Sequence, residues 1–276
     1  MTNTSIGQGP EWLVYQAGCR VSAGTRDWLA DKIAARHAAN GTRRRKKDAI
    51  FQATLTITFL RSNLTYAELA APHDISVSTC WRYIEQGITE PAARAIRLTD
   101  VVRLARKAGW EYLLVDGTLV STVAFGRKIR PRQRHYSGKH RRHGVNVQTV
   151  CAPDGTLLWA SAALPGSTVD ITAARRAKIP QKVSGLLGLL ADLGYLGLDG
   201  AITGRRRKKG QAALTSGQAA ANKIHAQLRC PGERGNAQLK WWRVPATELR
   251  CRPGRATRMV KAVLTLHHRE QQPFTP

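Results

Sequence analysis

Two apolar runs in this chain lead straight into an aspartate, and that pattern restricts the fold more than any other feature. The first, Trp110-Glu111-Tyr112-Leu113-Leu114-Val115, ends in Asp116-Gly117. The second, Leu186 to Ala191, ends in Asp192-Leu193-Gly194-Tyr195. Short, β-prone, apolar runs read as strands. A carboxylate at the end of such a strand is partly withdrawn from water and needs a countercharge. Strand ends at a sheet edge hold side chains firmly yet leave them accessible, so ligands collect there. One aspartate before a glycine is most simply a turn residue; a matched pair is harder to assign to turns.

Carboxylates are also scarce. The 276 residues carry 44 Lys and Arg against 18 Asp and Glu, a net charge of +26. Such a field attracts a polyanion and releases its counterions, so nucleic acid is the first partner to consider. An Arg-rich solvated surface is the plainer alternative. Hydrophobic residues make up 42%, which excludes a disordered polymer. The length suits one large domain or two moderate ones. The cysteines, at 19, 80, 151, 230 and 251, form no C-x-x-C pair. That argues against a zinc ribbon and fits a reducing cytoplasm. The first thirty residues show no signal-peptide pattern, and the apolar stretch from Val183 to Leu190 is too short to span a bilayer. The expectation is a cytoplasmic, nucleoid-associated protein without membrane contact.

The N-terminal part reads as helical. One helix is expected over Thr25–Ala39, with Thr25 as N-cap and Asn40-Gly41 as the stop. The basic run Arg43-Arg44-Arg45-Lys46-Lys47 is a candidate DNA-phosphate contact or a solvated helix start, and a second helix follows over Asp48–Leu60. Within 64–86, Thr65 and Glu68 form a capping box, Pro72-His73-Asp74 breaks the helix, and Ser76 caps the next one. With Leu69, Ile75, Val77, Trp81 and Ile84 facing one core, this describes a helix-turn-helix. It would present Ser78, Thr79, Arg82 and Tyr83 to a major groove. A plain helical hairpin fits the same pattern. Glu90-Pro91 is expected to start a further helix, Ala92 to Lys107, and Gly109 to end it. The expected division is a helical region, 1–109, followed by a domain over 110–276.

From residue 110 the period is strand-like. Thr118 to Phe125 is a possible second strand, and Gly144–Cys151 with Thr156–Ala163 forms a hairpin around Pro153-Asp154-Gly155. Between them, Arg127 to His143 is dense in basic residues, including Lys139, Arg141 and Arg142 as candidate DNA contacts. His135, His140 and His143 lie among these cations and suit phosphate contact or a solvated loop better than zinc. Asp170 is a further candidate carboxylate, although a structural role as the cap of a helix to Ala177 suits it better. Helices are expected at Ser216–Leu228, Pro231–Trp242 and Arg258–Arg269. Tyr195 and the Trp241-Trp242 pair could stack on a flipped base or pack in the core. The whole is a mixed α/β core. Arg229, Glu233 and Lys240 would fall near one helical face, although an ordinary salt-bridge stripe gives the same spacing and Pro231 interrupts it.

These segments together resemble the bacterial insertion-sequence transposases of the DDE superfamily, in the group of short single-chain enzymes that includes insertion sequence five. The resemblance rests on VDGT at 115–118, HYSGKHRRHGVNVQ at 135–148, PGSTVD at 165–170, ADLGYLG at 191–197 and RCPGERGNAQLKWWR at 229–243. It implies a ribonuclease-H-like catalytic domain and cleavage and joining of double-stranded DNA at the element's terminal repeats. It implies two Mg²⁺ or Mn²⁺ ions held by Asp116, Asp192 and Glu233, with Arg229 and Lys240 completing the helix motif. It also implies at least a homodimer on DNA. The family usually places Tyr three positions before that Arg; here the residue is Ala226. The alternative is a helix-turn-helix regulator carrying a catalytically dead transposase-derived domain.

The charge makes one expectation independent of the catalytic reading. Duplex affinity measured by fluorescence anisotropy should fall steeply between low and physiological salt. A flat log–log slope would contradict it.

Overall fold

The computed structural model describes residues 21–41, 46–123, 134–183, 185–207, 209–210, 212–251 and 253–271. Arg43, Arg44 and Arg45, and most of the basic segment before Arg134, lie outside the described residues.

The sheet is organised by β1 (Tyr112–Ser121), a strand of 10 residues. The sequence expectation ended this strand at Asp116; instead it runs on through Gly117. The reason is its partner. The equally long β3 (Arg142–Cys151) pairs antiparallel with it from Leu114 opposite Cys151 to Ser121 opposite Gly144. The separate strand expected over Thr118 to Phe125 is therefore, as far as it is described, the second half of β1. On its other edge β1 pairs in parallel with β6 (Gly188–Leu190), and β6 pairs in parallel with β7 (Ala201–Ile202). β2 (Tyr136–Ser137), β4 (Leu157–Ala160) and β5 (Leu164–Pro165) all pair antiparallel with β3. The result is one mixed sheet of order β2-β3-β1-β6-β7.

Helices precede, interrupt and follow the strands. They are α1 (Ala23–Ala39), α2 (Ala49–Ser62), α3 (Tyr66–Ala70), α4 (Val77–Ala93), α5 (Leu98–Lys107), α6 (Asp170–Arg176), α7 (Ile179–Val183), α8 (Ser216–Arg229), α9 (Gly232–Lys240), α10 (Arg243–Ala246) and α11 (Pro253–Gln271). Local chemistry sets most starts. Ser22, rather than Thr25, caps α1; Asp48 caps α2; the Thr65–Glu68 box closes α3; and Ser76 caps α4.

Pro91 does not begin a helix but lies inside α4. Tertiary partners hold that turn. Glu90 is clamped by Arg36 and Arg94, at 2.9 and 2.6 Å, and the Thr265 hydroxyl of α11 donates to the Pro91 carbonyl at 2.8 Å. The inward stripe of α4 is Cys80, Tyr83, Ile84, Gly87 and Ile88. This corrects the expected reading face. Tyr83 is 5% exposed and its ring meets Phe51 edge-on, so it is a core residue. Val77 and Trp81, expected inside, are 50% and 46% exposed. The helix is rotated because the stripe at i, i+3, i+4 and i+7 must face both α2 and α11. Ser78 and Arg82 remain exposed, and Thr79 is half-buried against Ser76.

Two apolar clusters sandwich the sheet, because strand side chains alternate between its faces. Leu114, Val145, Val147 and Cys151 join α1–α4 and α9–α11 on one face. Leu113, Val115 and Val150 join α5, α6 and α7 on the other. The core thus crosses residue 109, where helix gives way to strand. α5 covers the back of the sheet, and α11 lies along α4, with Arg255 and Arg258 paired to the mostly buried Glu85.

Near the end of α11, His267 and His268 tie this helix to β4 and α9. The His267 Nε2 lies 3.2 Å from Gln238 Oε1, which also accepts the Leu157 amide, and the His268 Nε2 meets the Leu157 carbonyl at 2.9 Å. Burial pushes His267 down to about 4 and also lowers His268. A depressed folded-state value means the stability is fully present above the unfolded value near 6.5 and is lost as pH falls toward 4. Denaturant unfolding should therefore show a loss of roughly 2 kcal/mol from this residue between about pH 7.5 and pH 5, and His267→Leu should remove most of that dependence. An unchanged pH profile in the variant would refute the assignment.

Candidate active site

Asp116 sits in the middle of β1, opposite Thr149 of β3. Its Oδ1 accepts the Gly117 amide at 2.8 Å, and its Oδ2 accepts Asn236 Nδ2 from α9, also at 2.8 Å. The Thr149 hydroxyl donates to Asn236 Oδ1 at 3.0 Å, which turns the amide so that its nitrogen faces Asp116.

Asp192 arrives from the neighbouring strand. β1 and β6 are parallel and paired at Leu114 and Leu190, so Asp116 and Asp192 each lie two residues beyond a paired position, on the same side. Asp192 caps the 3₁₀ turn Leu193–Tyr195, with the Gly194 amide donating to its Oδ1 at 2.8 Å. The two carboxylates feel one another. Burial raises the Asp116 carboxyl, the Gly117 amide opposes this, Asp192 raises it further, Arg229 lowers it, and Asp170 raises it again.

Asp170 was expected to be a helix cap, but Val169 holds that position. Its carboxylate lies against the backbone of Gly117, on the face of β1 opposite the Asp116 side chain. A Cβ at Gly117 would fall 2.2 Å from Asp170 Oδ1, so any larger residue here must displace that carboxylate. Asn146 Nδ2 donates to Asp170 Oδ1 at 2.7 Å, and Lys139 pairs with Oδ2 at 3.3 Å. The chain of bonds continues inward. Gln148 Nε2 donates to Asn146 Oδ1 at 2.8 Å, and the Tyr195 hydroxyl donates to Gln148 Oε1 at 2.7 Å. Tyr195 is fully buried, so it is a structural member of this relay and not a base-stacking platform. The sequence signal for Asp170 was Asn146 and Gln148, two polar residues at alternate positions among the valines of β3.

The helix motif is divided. Arg229 ends α8, and after Cys230-Pro231 a second helix, α9, carries Glu233 and Lys240. Arg229 and Glu233 therefore do not share a continuous helix, because Pro231 cannot continue the hydrogen-bond ladder of α8. Arg229 still acts on Asp116 electrostatically. Glu233 is exposed, and among the described residues its carboxylate has no ion pair or hydrogen bond. It lies one turn before Asn236, the residue of α9 that bonds Asp116. Lys240 is near enough to His140 to help depress that imidazole, after burial, Lys139 and Arg142. Arg141, with a φ of 50°, and Arg142 are exposed beside it. Of the tryptophans, Trp242 is fully buried, whereas Trp241 is 39% exposed and has the Arg61 guanidinium 3.3 Å over its ring.

Residues 115–268 match the family profile described as DDE superfamily endonuclease. Over 194 residues the chain is 30% identical to a candidate transposase for insertion sequence element IS112 from Streptomyces albus G, covering 70% of this chain and 69% of that protein. The chain belongs to the DDE superfamily of bacterial insertion-sequence transposases. The match begins one residue before Asp116 and runs through the sheet and α9 to His268, within α11. Membership of the insertion-sequence-five group is not part of that match. No described helix is long and apolar enough to cross a membrane.

DDE endonucleases generally work with divalent metal ions. Among the described residues, no three His, Cys, Asp or Glu side chains are close enough together to hold one. The donor chemistry nevertheless fits a hard cation. Asp116 is an oxygen donor whose charge is disfavoured by burial and by two neighbouring carboxylates, a repulsion that a cation would relieve.

Gly117→Ala tests this arrangement directly. The added methyl group must displace the Asp170 carboxylate, so Mn²⁺ affinity by calorimetry should fall at least about tenfold while circular dichroism keeps the α/β signature. Unchanged affinity would place Asp170 outside the site.

Proposed function

We propose that this protein is a transposase that binds the ends of an insertion sequence, cleaves DNA there and joins the ends to a target. The observation that carries this reading is the placement of Asp116 and Asp192 two residues past the last paired positions of adjacent parallel strands in a chain of the DDE family. The strand arrangement, antiparallel β4-β3-β1 followed by parallel β6 and β7, supports a ribonuclease-H-like core.

In this reading Asp116, Asp192 and Glu233 would hold two Mg²⁺ or Mn²⁺ ions. When bound, these ions neutralise charge that develops on the phosphate during cleavage. The chain's own residues do the rest. Asn236 holds the Asp116 carboxylate in one orientation, and the Gly194 amide does the same for Asp192. Lys240, Lys139, Arg141 and Arg142 line up phosphates, and Arg229 orients carboxylate or phosphate. The α3–α4 unit serves as a helix-turn-helix over about 64–86, with Ser78, Thr79 and Arg82 turned to the groove. Arg43, Arg44 and Arg45 add phosphate contacts. We place the enzyme in the cytoplasm, at the nucleoid, working as a homodimer or larger assembly on paired ends.

A second reading has one observation in its favour. The three carboxylates do not form a ready metal group, which also suits a DNA-binding regulator with an inactive catalytic domain. A supercoiled plasmid carrying the element's ends, incubated with Mg²⁺ or Mn²⁺, separates the two. The transposase reading expects cleavage at the ends by the wild type and none by Asp116→Asn. Specific binding with no cleavage by either protein would leave the regulator.

A further inference from the structure

Beside β4 and β5, on the edge of β3 away from β1, lies a recess whose lining includes none of the carboxylates described above. Its volume is about 340 Å³, within the roughly 300–1,000 Å³ of pockets that enclose a small ligand. Buried Leu98, with half-buried Ile96 and Trp159, gives it an apolar floor. Four cations line it as well, each from a different segment: Arg97 at the corner between α4 and α5, Arg176 at the end of α6, Lys182 in α7 and Lys261 in α11. None of these side chains has an ion pair or hydrogen bond with another described residue, and no Asp or Glu lines the recess. Lys182 and Lys261 are half-buried, so their charges are partly withdrawn from water without a counterion. The first turn of α5 opens at the same place. Its N-cap, Arg97, makes no side-chain cap bond, and the Asp100 carboxylate of that turn is held by Arg103 at 3.1 Å. The positive pole of the helix adds to the four charges. Like charges brought together from separate elements repel one another until an anion joins them.

We propose that the recess binds a small molecule that carries phosphate beside a flat apolar body, the chemistry of a nucleotide. The site is separate from the transposase reading and does not depend on it. The phosphates lie among the four cations and the α5 amides, and the flat body lies on Trp159. Four unpaired cations suit more than one negative charge, which favours a diphosphate over a single carboxylate. A duplex backbone would meet the exposed rim and leave the apolar floor uncovered. Bound in the recess, the ligand bridges α5, α6, α7 and α11 to β4, so it fastens helices from both ends of the chain to one edge of the sheet.

The experiment uses the full chain in EDTA, with calorimetry of adenosine diphosphate, pyrophosphate and adenosine. The nucleotide should bind and raise the thermal midpoint. Pyrophosphate should bind at least about tenfold more weakly, for want of the floor contact, and adenosine should not bind measurably. Thr99→Glu is the decisive variant. Thr99 is exposed on the wall of the recess in the first turn of α5, where a carboxylate favours the helix, so the free protein should keep or raise its midpoint. Nucleotide affinity should nevertheless fall at least about tenfold, because the new charge competes for the cations. Lys182→Gln combined with Lys261→Gln should repeat that loss. Equal affinity for adenosine diphosphate and pyrophosphate would overturn the nucleotide assignment, and nucleotide binding unchanged in Thr99→Glu would overturn the site. A random-sequence duplex that loses the same affinity in Thr99→Glu would assign these cations to DNA instead.

Discussion

The central constraint in this protein is the double pairing of β1. One edge is hydrogen-bonded along its length to β3, and the other is paired only at its start with β6. The first pairing holds the backbone at Asp116 extended and rigid. The second stops just short of Asp116, which leaves that position next to Asp192 instead of next to another strand. A carboxylate is thereby held in a desolvated place beside a like charge, an arrangement that costs free energy unless something positive is added. The surrounding residues reduce that cost without removing it. Asn236 and the Gly117 amide donate to Asp116, and Arg229 contributes at longer range.

The back of the same strand carries a second polar system in what would otherwise be dry core. Asp170, Asn146, Gln148 and Tyr195 form a continuous run of hydrogen bonds from the surface to a fully buried phenol. Each buried group is satisfied by the next, which makes such a network tolerable in a core. Its two ends reach two other segments of the chain. Lys139 sits at one, and the other is the turn that Asp192 caps. The network therefore couples the basic loop to the placement of the second aspartate. Gly117 is the point where the two polar systems come closest, separated by a single backbone.

The helices are not an appendage to this sheet. α5 supplies Leu98, Val101, Val102 and Ala105 to the cluster behind the strands, while α11 returns to lie along α4. The paired charges of Glu85 with Arg255 and Arg258 join segments that are far apart in sequence. Rotation of α4 follows from this packing. Burying Tyr83 and Ile84 against α2 and α11 turns Trp81 and Arg82 outward together.

Local chemistry, written in the sequence, determined where most elements begin and which residues they contain. Ser76, Asp48 and the Thr65–Glu68 box act within one turn of themselves, and Asp154-Gly155 marks the hairpin between β3 and β4. Asp116 and Asp192 were also legible as a pair, because each closes a short apolar run, although β1 itself continues past Asp116. What only the tertiary structure decided were matters of partner and orientation. The extension of β1 past Asp116 depends on β3, and the continuation of α4 through Pro91 depends on α11. The inward turn of Tyr83 depends on two helices at once. The place of Asp170 against Gly117, and of Asn236 against Asp116, follows from how α6 and α9 pack on the sheet. Sequence periodicity reports which face of an element is apolar; it carries no information about which distant segment will cover that face, and those contacts set the final geometry.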